Sequence, residues 1–304
     1  MRVRRGWQLI KEAVSAWIGD YAPSMGAALA YYTLFSLAPL LVIVIGIAGL
    51  VFGAEAAQGA IVGQLGGLMG EEGARAVEGL LVSASEPAHG VVATVVGAVT
   101  LLIGATTVFA ELQSALDRIW QVAPEQQSSG LWSLLRQRLL SLGMILVLGL
   151  LMLVSLLLSA ALAALGTWWG GAFGGFEALL HALNFSVSFL LITGLFAAIY
   201  KLMPRASIAW RDVWVGAGVT ALLFTIGKFL IGLYLGKSGV TSAFGAAGSM
   251  VVLLIWVYYS AQIFLLGAEF TWVYAHTSGS RKEGARDRAT PLGAGSGPAR
   301  SSAH

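Results

Sequence analysis

The hydrophobic positions of this chain of 304 residues come in several long runs rather than in short stretches that alternate with polar residues. Such runs are typical of membrane-spanning helices rather than of one soluble core. Backbone groups find no water in lipid, and runs rich in Leu, Ala and Gly favour helices over barrel strands. We therefore predict an all-α, polytopic integral membrane protein with six transmembrane helices, at about residues 26–52, 91–110, 139–165, 179–202, 213–235 and 249–270.

The segments outside these spans are polar or amphipathic. Residues 1–24 form a predicted cytoplasmic N-terminus with a helix that lies in the headgroup layer. The apolar residues that share one side of this helix are Trp7, Ile10, Val14, Trp17 and Tyr21. Residues 53–90 predict two short amphipathic helices in the first outer loop. Residues 25–275 are then the six-helix transmembrane domain, and residues 276–304, rich in Ser, Gly, Arg and Ala, form a predicted disordered cytoplasmic tail.

Charge supports this topology. Only 11% of the residues are charged and the mean hydropathy is +0.80, which leaves too little charged surface for a soluble domain of this size. With the N-terminus inside, all but three of the 18 Lys and Arg residues fall on the cytoplasmic side, as the positive-inside rule requires. The three exceptions are Arg75, Lys228 and Lys237. Both termini are therefore predicted to be cytoplasmic.

Ionisable residues inside the predicted spans are the main functional candidates, because charge is costly in lipid. Glu269 shares one side of the sixth predicted span with Gln262 and Tyr259, and this polar stripe suits a substrate path. The alternative is that Glu269 lies near the cytoplasmic border, where it is solvated or bonded to an arginine. Lys228 and Glu111 each lie close enough to a border for their charged groups to reach headgroups or water.

The first predicted span contains Pro39, which removes one backbone donor and predicts a helix kink. Tyr32 and Ser36 precede it and face the same way, one turn apart. Their hydroxyls either line a cavity beside the kink or bond carbonyls within the helix. Elsewhere the pairs Gly170-x-x-x-Gly174 and Gly232-x-x-x-Gly236 have the spacing that lets helices approach closely.

Signals for catalysis are weak, and we expect no enzyme activity. The chain has no cysteine, and its four histidines stand far apart without a carboxylate at metal-binding spacing. There is no serine nucleophile elbow and no glycine-rich dinucleotide loop after a strand. We expect no cofactor, no metal and no nucleic acid, and membrane lipids as the partners, with a lipid or amphiphile as a possible substrate.

Three stretches together resemble one family. They are Asp20-x-x-x-x-x-Gly-Ala-Ala-Leu-Ala-Tyr-Tyr-Thr-Leu-Phe-Ser-Leu-Ala-Pro39, then Tyr200-Lys-Leu-Met-Pro204 followed by Trp210, and finally Phe244-Gly-Ala-Ala-Gly-Ser249 with Leu254-Ile-Trp-Val-Tyr258 and Leu266-Gly-Ala-Glu269. Over residues 7–275 the chain resembles the YihY/BrkB family of bacterial inner-membrane proteins. Glu269 matches the family pattern, whereas Asp117 stands where the family pattern has Asn.

The resemblance implies a six-helix protein of the bacterial inner membrane with a role in the cell envelope. Similar proteins have been called serum-resistance or virulence factors and permeases, and some are linked to the movement of lipid A-type lipids. The family also once carried a label as ribonuclease BN, a tRNA-processing nuclease. We discount that label, because the sequence shows no Asp/His cluster able to hold catalytic metals in a cytoplasmic domain.

The leading hypothesis is a permease or flippase-like transporter of an amphiphilic or lipid-linked substrate, with no ATP site of its own. The alternative is a non-transporting scaffold that organises envelope assembly. A membrane-embedded enzyme would need a buried polar cluster that the sequence does not assemble.

Overall fold

The computed structural model describes residues 2–84, 107–123, 176–238 and 247–281, together with residues 143 and 244. Within these ranges the regular elements are helices and no strand occurs, which confirms the predicted all-α class for this part of the chain. The helices are α1 (Arg2–Gly19), α2 (Ala22–Phe52), α3 (Ala54–Ala84), α4 (107–119), α5 (Phe176–Leu202), α6 (Trp210–Ser238) and α7 (Gly248–Thr277).

Three of the described helices are long and apolar enough to cross a membrane. The segments are Phe185–Leu202 in α5, Trp210–Lys237 in α6 and Gly248–Thr277 in α7. They coincide with the predicted fourth, fifth and sixth spans. The predicted first span lies within α2, a helix of 31 residues, whereas the predicted spans at 91–110 and 139–165 lie almost wholly outside the described residues. The six-span count and the cytoplasmic termini stay predictions.

Helix α7 is the centre of the described bundle, and α1, α2, α3 and α6 all pack against it. An apolar helix with neighbours on many sides is expected to be buried around much of its circumference. At one end of the bundle, which we call the terminal end, Leu265 of α7 packs in a buried cluster with Leu116 of α4 and Tyr200 of α5. At the opposite, distal end, Leu253 packs with Leu81 of α3.

Glycines permit the close contact between α6 and α7. A Cβ atom built on Gly216 of α6 would lie 1.8 Å from Oγ1 of Thr271, and one on Gly267 of α7 would lie 1.9 Å from Oγ1 of Thr220. Beside them the Tyr200 hydroxyl donates a hydrogen bond to the Phe264 carbonyl at 2.7 Å. By contrast, a Cβ on Gly232, which belongs to the predicted packing motif, meets nothing within 4 Å. The prediction of close packing at Gly232 is therefore wrong for the described residues.

Helix α1 turns an apolar face away from the bundle. The large hydrophobic residues exposed on this face and in the turn that follows are Trp7, Ile10, Val14, Ile18 and Tyr21. Trp17, which the sequence placed on the same face, instead packs against the terminal-end core, near buried Ala13. The reason is the helical period, because residue 18 continues the stripe from residue 14 while residue 17 lies about 100° away from residue 18.

The turn between α1 and α2 is tight. The Asp20 N–H donates to the Ala16 carbonyl at 2.8 Å, and Tyr21 adopts the left-handed conformation with φ 59°. Helix α2 then starts at Ala22 and carries Pro23 in its first turn, where a missing N–H costs no helical hydrogen bond. The helix boundary therefore falls at residues 20–21, slightly before the predicted boundary after residue 24.

Helix α3 occupies most of the region where two short helices were expected. Gly70, with φ 79°, leaves the helical conformation and divides α3 into two halves. The second half buries Val77 and Leu81 against α6 and α7. Both halves thus belong to the packed bundle at its distal end.

Polar contacts tie the terminal end together around the turn between α5 and α6. Asp117 of α4 accepts a hydrogen bond from the Arg205 N–H at 2.7 Å, and its carboxylate lies 3.4 Å from the Arg205 guanidinium. Gln113, one turn earlier, donates to the Met203 carbonyl at 3.0 Å. This turn leaves backbone groups without helical partners, and α4 supplies those partners.

The segment after α7 crosses the same end. The Ser280 hydroxyl donates to the Asp212 carboxylate at 2.6 Å, in the first turn of α6. The Arg281 guanidinium donates to the Ser207 carbonyl at 2.7 Å and lies 5.2 Å from the centre of the Trp120 ring. The described start of the predicted tail is thus ordered on α4 and α6.

Candidate functional site

Glu269 occupies a buried position on α7 that faces the junction of α1 and α2. Its side chain is 1% exposed, and its Oε1 atom has no hydrogen-bond partner among the described residues. The Asp20 carboxyl group is within hydrogen-bonding reach of the Glu269 carboxyl group. We call Asp20 and Glu269 the carboxyl pair. Glu269 is therefore not solvated at a border, and its closest acidic neighbour belongs to the α1–α2 turn.

Contacts on either side of the carboxyl pair show how the chain brings it together. On one side, Ala16 of α1 and Trp272 of α7 line the same groove, whose volume is about 350 Å³. On the other side, Gln262 of α7 reaches the Pro23 carbonyl at the start of α2. Asp20 lies between Ala16 and Pro23 along one segment, and Glu269 lies between Gln262 and Trp272 along the other. The two segments run alongside each other, and the pair sits at their middle.

Gln262 is the second polar group at this junction. Its Nε2 atom donates to the Pro23 carbonyl at 3.5 Å, the outer limit of a hydrogen bond, and its Oε1 atom is buried without a partner among the described residues. A Cβ atom on Gly26 would lie 2.0 Å from Gln262 Nε2, so the amide fills the space that the glycine leaves. Packing against Gly26 therefore positions the Gln262 amide more than its long hydrogen bond does.

Gly26→Ala is expected to turn the Gln262 amide away from Pro23 at a cost below about 1 kcal/mol, because the clash falls on the end of a flexible side chain. The unfolding midpoint of the detergent-solubilised protein measures this cost. Gly19→Ala is the control, since a Cβ there meets nothing within 4 Å. A loss above about 2 kcal/mol relative to that control would contradict a mobile amide.

The predicted stripe on α7 divides between two neighbours. Gln262 and Glu269 face the α1–α2 junction, but the Tyr259 hydroxyl lies only 3.2 Å from where a Cβ of Gly227 on α6 would stand. At about 100° per residue, the offsets of three and ten residues rotate Tyr259 about 60° away from Gln262 and about 80° away from Glu269. Tyr259 thus packs against α6 and does not join the carboxyl pair.

Tyr32 and Ser36 lie farther along α2 than the junction. They follow Gly26 by six and ten residues, which is about 9 and 15 Å along the helix axis. The Ser36 hydroxyl donates to the Thr33 carbonyl at 3.2 Å, so it bonds within its own helix, as one of the two sequence alternatives proposed. Pro39 lies inside the continuous helix α2, and a kink there stays a prediction.

Lys228 and Glu111 are placed elsewhere. Lys228 lines a groove of about 460 Å³ between α6 and α3, which Glu71 also lines. Glu111 is half-buried on α4. Neither residue shares a described contact with the carboxyl pair. In the part of the chain that the structure describes, Gln262 and Glu269 are therefore the predicted pathway residues that face the α1–α2 junction.

Sequence reasoning missed two residues of this junction. Asp20 belongs to the first of the three family stretches, but nothing in the sequence indicated that it lies beside Glu269, 249 positions later. Trp17 lies on the inner side of α1, one turn before Asp20, and its indole N–H is buried without an acceptor among the described residues. An acidic residue in a turn beside an interfacial helix is the one signal that could have singled out Asp20. No group of three His, Cys, Asp or Glu among the described residues is placed to hold a metal ion.

Comparison with known proteins identifies the family. The family described as "Virulence factor BrkB" matches residues 13–291, a range that includes both members of the carboxyl pair. The chain belongs to the BrkB family. This confirms the family resemblance seen in the three sequence stretches, and it agrees with the apolar helices of the bundle. The protein is thus a helical membrane protein of the BrkB family.

Relatives in this family carry membrane-protein names. The chain is 30% identical over 258 residues to a UPF0761 membrane protein of Pseudomonas paraeruginosa, and the match covers 83% of this chain and 59% of that relative. It is 28% identical over 260 residues to a UPF0761 membrane protein of Verminephrobacter eiseniae, covering 83% of this chain and 58% of the relative. The chain therefore spans about three-fifths of the length of these BrkB-family relatives. No solved structure matches it.

Proposed function

We propose that this protein is a permease or flippase-like transporter that moves an amphiphilic or lipid-linked substrate across the inner membrane of a bacterium, without an ATP site of its own. The observation that carries the proposal is the Glu269 carboxyl group, which is 1% exposed inside an apolar bundle and has one oxygen without a hydrogen-bond partner among the described residues. Ionisable groups are expensive within a membrane protein and are typical of transport pathways. The Gln262 amide oxygen, which has no partner in the part of the chain that the structure describes, extends the polar surface along α7.

The groove between α1 and α7 supports an amphiphilic substrate. Its wall carries Glu12, Ser15 and His276 beside the apolar ring of Trp272. The His276 Nδ1–H donates to the Trp272 carbonyl at 2.8 Å, so Nε2 is the ring nitrogen that would contact a ligand. Polar groups next to an apolar wall suit a molecule with a headgroup and a hydrocarbon tail.

The exposed apolar face of α1 also supports an amphiphilic substrate. Large hydrophobic side chains on a helix surface mark a site of membrane or protein contact. A headgroup in the groove would lie next to a helix that this face holds in the lipid interface. Substrate then has a lateral route from the bilayer to the junction where Gln262 and Glu269 are buried.

The proposal is tested by reconstituting the purified protein into vesicles that contain a fluorescent headgroup-labelled phospholipid, with an impermeant quencher outside. We expect translocation faster than in empty vesicles, and a loss of about tenfold in Glu269→Gln, equivalent to about 1.4 kcal/mol. Ser260→Ala is the control, because residue 260 lies on the opposite side of α7 from Gln262, and it is expected to match the wild type.

Two results would overturn the proposal. One is a wild-type rate equal to that of empty vesicles, and the other is a Glu269→Gln rate equal to the wild type. If the first result came with a stoichiometric partner in cross-linking of intact membranes, the scaffold hypothesis would replace transport.

A further inference from the structure

The carboxyl pair joins two acidic groups from distant parts of the chain in a place with little water. Asp20 is only partly exposed and Glu269 is almost wholly buried. Two ionised carboxylates in contact repel each other, most strongly where the dielectric constant is low. A hydrogen bond between two carboxyl groups also requires one O–H donor, because an ionised carboxylate can only accept. The arrangement therefore needs one proton.

We propose that Asp20 and Glu269 together form a binding site for one proton, and that release of this proton drives the α1–α2 turn away from α7. A second part, which rests on the proposed function, is that this proton is the coupling ion for transport. The bound state is one carboxylic acid donating to one carboxylate. The released state is two carboxylates, with the proton passed to water, and no other bond changes.

The surroundings of the pair favour a shared proton over a fixed ion pair. On α4, the Arg118 guanidinium lies 5.5 Å from the centre of the Tyr21 ring, directly beside Asp20 in sequence. On α6, Asp212 accepts from Ser280, and Lys201 of α5 donates to the Ile208 carbonyl. The remaining ionisable groups on the helices packed against α7 whose side chains the structure describes are Lys11 and Glu12 of α1, Tyr31 and Tyr32 of α2, Glu55, Glu71, Arg75 and Glu78 of α3, and Arg211, Lys228, Tyr234 and Lys237 of α6. Those on α7 itself are Tyr258, Tyr259, Tyr274 and His276.

None of these groups is described as an ion-pair partner of Asp20 or Glu269. Arg118 is the basic group that the structure places near the turn, and its described contact is with the Tyr21 ring. Glu12 and His276 line the adjacent groove rather than the pair itself. In an ordinary buried ion pair, a lysine or arginine balances the negative charge of a carboxylate. Within the described residues, the shared proton removes one of the two negative charges instead.

The position of the pair gives proton release a mechanical consequence. Asp20 lies in the two-residue turn that joins α1 to α2, and the groove between α1 and α7 starts one turn away, at Ala16. Repulsion between two carboxylates would push this turn, and α1 with it, away from α7. The groove would then widen at the polar wall that carries Glu12 and His276. Protonation would close it again, so that one proton sets the width of the proposed substrate entrance.

Infrared difference spectroscopy tests the proton site without measuring transport. The full-length protein in lipid nanodiscs is taken through a pH titration, and the carbonyl stretching band of a protonated carboxyl group is followed. We expect one such band that disappears as the pH rises, and that is absent from both Asp20→Asn and Glu269→Gln. Glu55→Gln, an exposed position in the first turn of α3, is the control that should keep the band. Circular dichroism and size-exclusion chromatography check that each variant is folded.

Three spectroscopic outcomes would overturn the site. They are a wild type with no such band, a band that survives in either amide variant, and a band that responds to sodium at constant pH. The amide variants can each donate and accept a hydrogen bond, so the pair can stay in contact and a folded protein is expected.

A second experiment distinguishes the proposed proton site from the proposed transport function. The lipid flux of the wild type is measured with and without a pH gradient across the vesicle membrane, and we expect a change of at least about threefold, against none in Asp20→Asn. A titrating band without any lipid flux would overturn the proposed function and leave the proton site standing. Flux without the band would overturn the proton site alone. A band with flux that ignores the gradient would overturn the coupling.

Discussion

Replacing Asp117 with alanine is expected to lower the free energy of unfolding by about 3 to 5 kcal/mol, the range typical of removing one partner from a buried ion pair. Asp117 is 2% exposed, and its carboxylate holds both the Arg205 N–H at 2.7 Å and the Arg205 guanidinium at 3.4 Å. Without it, both groups lose their acceptor at the turn between α5 and α6. Helix α4 would also lose a polar attachment to that turn, to which Gln113 is bonded as well.

Two further variants isolate the charge from the hydrogen bond. Asp117→Asn keeps an acceptor for the Arg205 N–H and loses only the charge, so we expect less than half of the alanine effect. Ser114→Ala, at an exposed position on the same helix, is expected to change stability by less than about 0.5 kcal/mol. Unfolding in detergent micelles, followed by circular dichroism, ranks the three variants. Equal effects for Asp117→Ala and Ser114→Ala would show that this contact contributes nothing to stability.

Gly216→Ala is expected to destabilise the protein by about 1 to 3 kcal/mol through overpacking of the α6–α7 interface. The added Cβ would lie 1.8 Å from Thr271 Oγ1 and 2.7 Å from Thr271 Cβ. Rotation of the threonine side chain moves its Oγ1 but not its Cβ, so one helix must move away from the other. This distinguishes Gly216 from Gly26, where the clash falls on a flexible amide.

Gly218→Ala is the matched control on the same helix, because a Cβ there meets nothing within 4 Å. Alanine has the higher helix propensity, so this variant is expected to be neutral or stabilised by up to about 1 kcal/mol. Adding Thr271→Ala to Gly216→Ala should restore part of the lost stability, since it removes two of the three clashing atoms. The same unfolding measurement applies, and equal midpoints for Gly216→Ala and Gly218→Ala would contradict the close approach.

The helical class and three of the spans could be predicted because they depend on local composition. A run such as Gly248–Thr277 is apolar over its whole length, and lipid allows such a run essentially one hydrogen-bonded conformation. Glu269 could likewise be singled out, because a carboxylate within an apolar run is costly wherever the helix packs. Membership of the BrkB family also followed from residues that lie close together in sequence.

The partners of these residues could not be predicted, since they depend on how helices rotate against one another. Trp17 and Ile18 are neighbours in sequence, yet one packs in the core and the other is exposed. The spacing of Gly232 and Gly236 suggested a packing surface, but a Cβ on Gly232 meets nothing within 4 Å, whereas the closest approaches between α6 and α7 among the described glycines are at Gly216 and Gly267. At these two positions a glycine is needed because side chains of the neighbouring helices fill the space of a Cβ atom, and sequence spacing does not say where that happens.

The sequence by itself determined that this protein is a helical membrane protein with a carboxylate within its last apolar helix, because hydrophobicity and charge act on each segment independently of the others. Only the tertiary structure decided that the carboxylate of Glu269 meets Asp20, that Asp117 binds the α5–α6 turn, and that Tyr259 faces α6. Those contacts join residues far apart in the chain, and they arise from the rotation and height at which α7 packs among its neighbours.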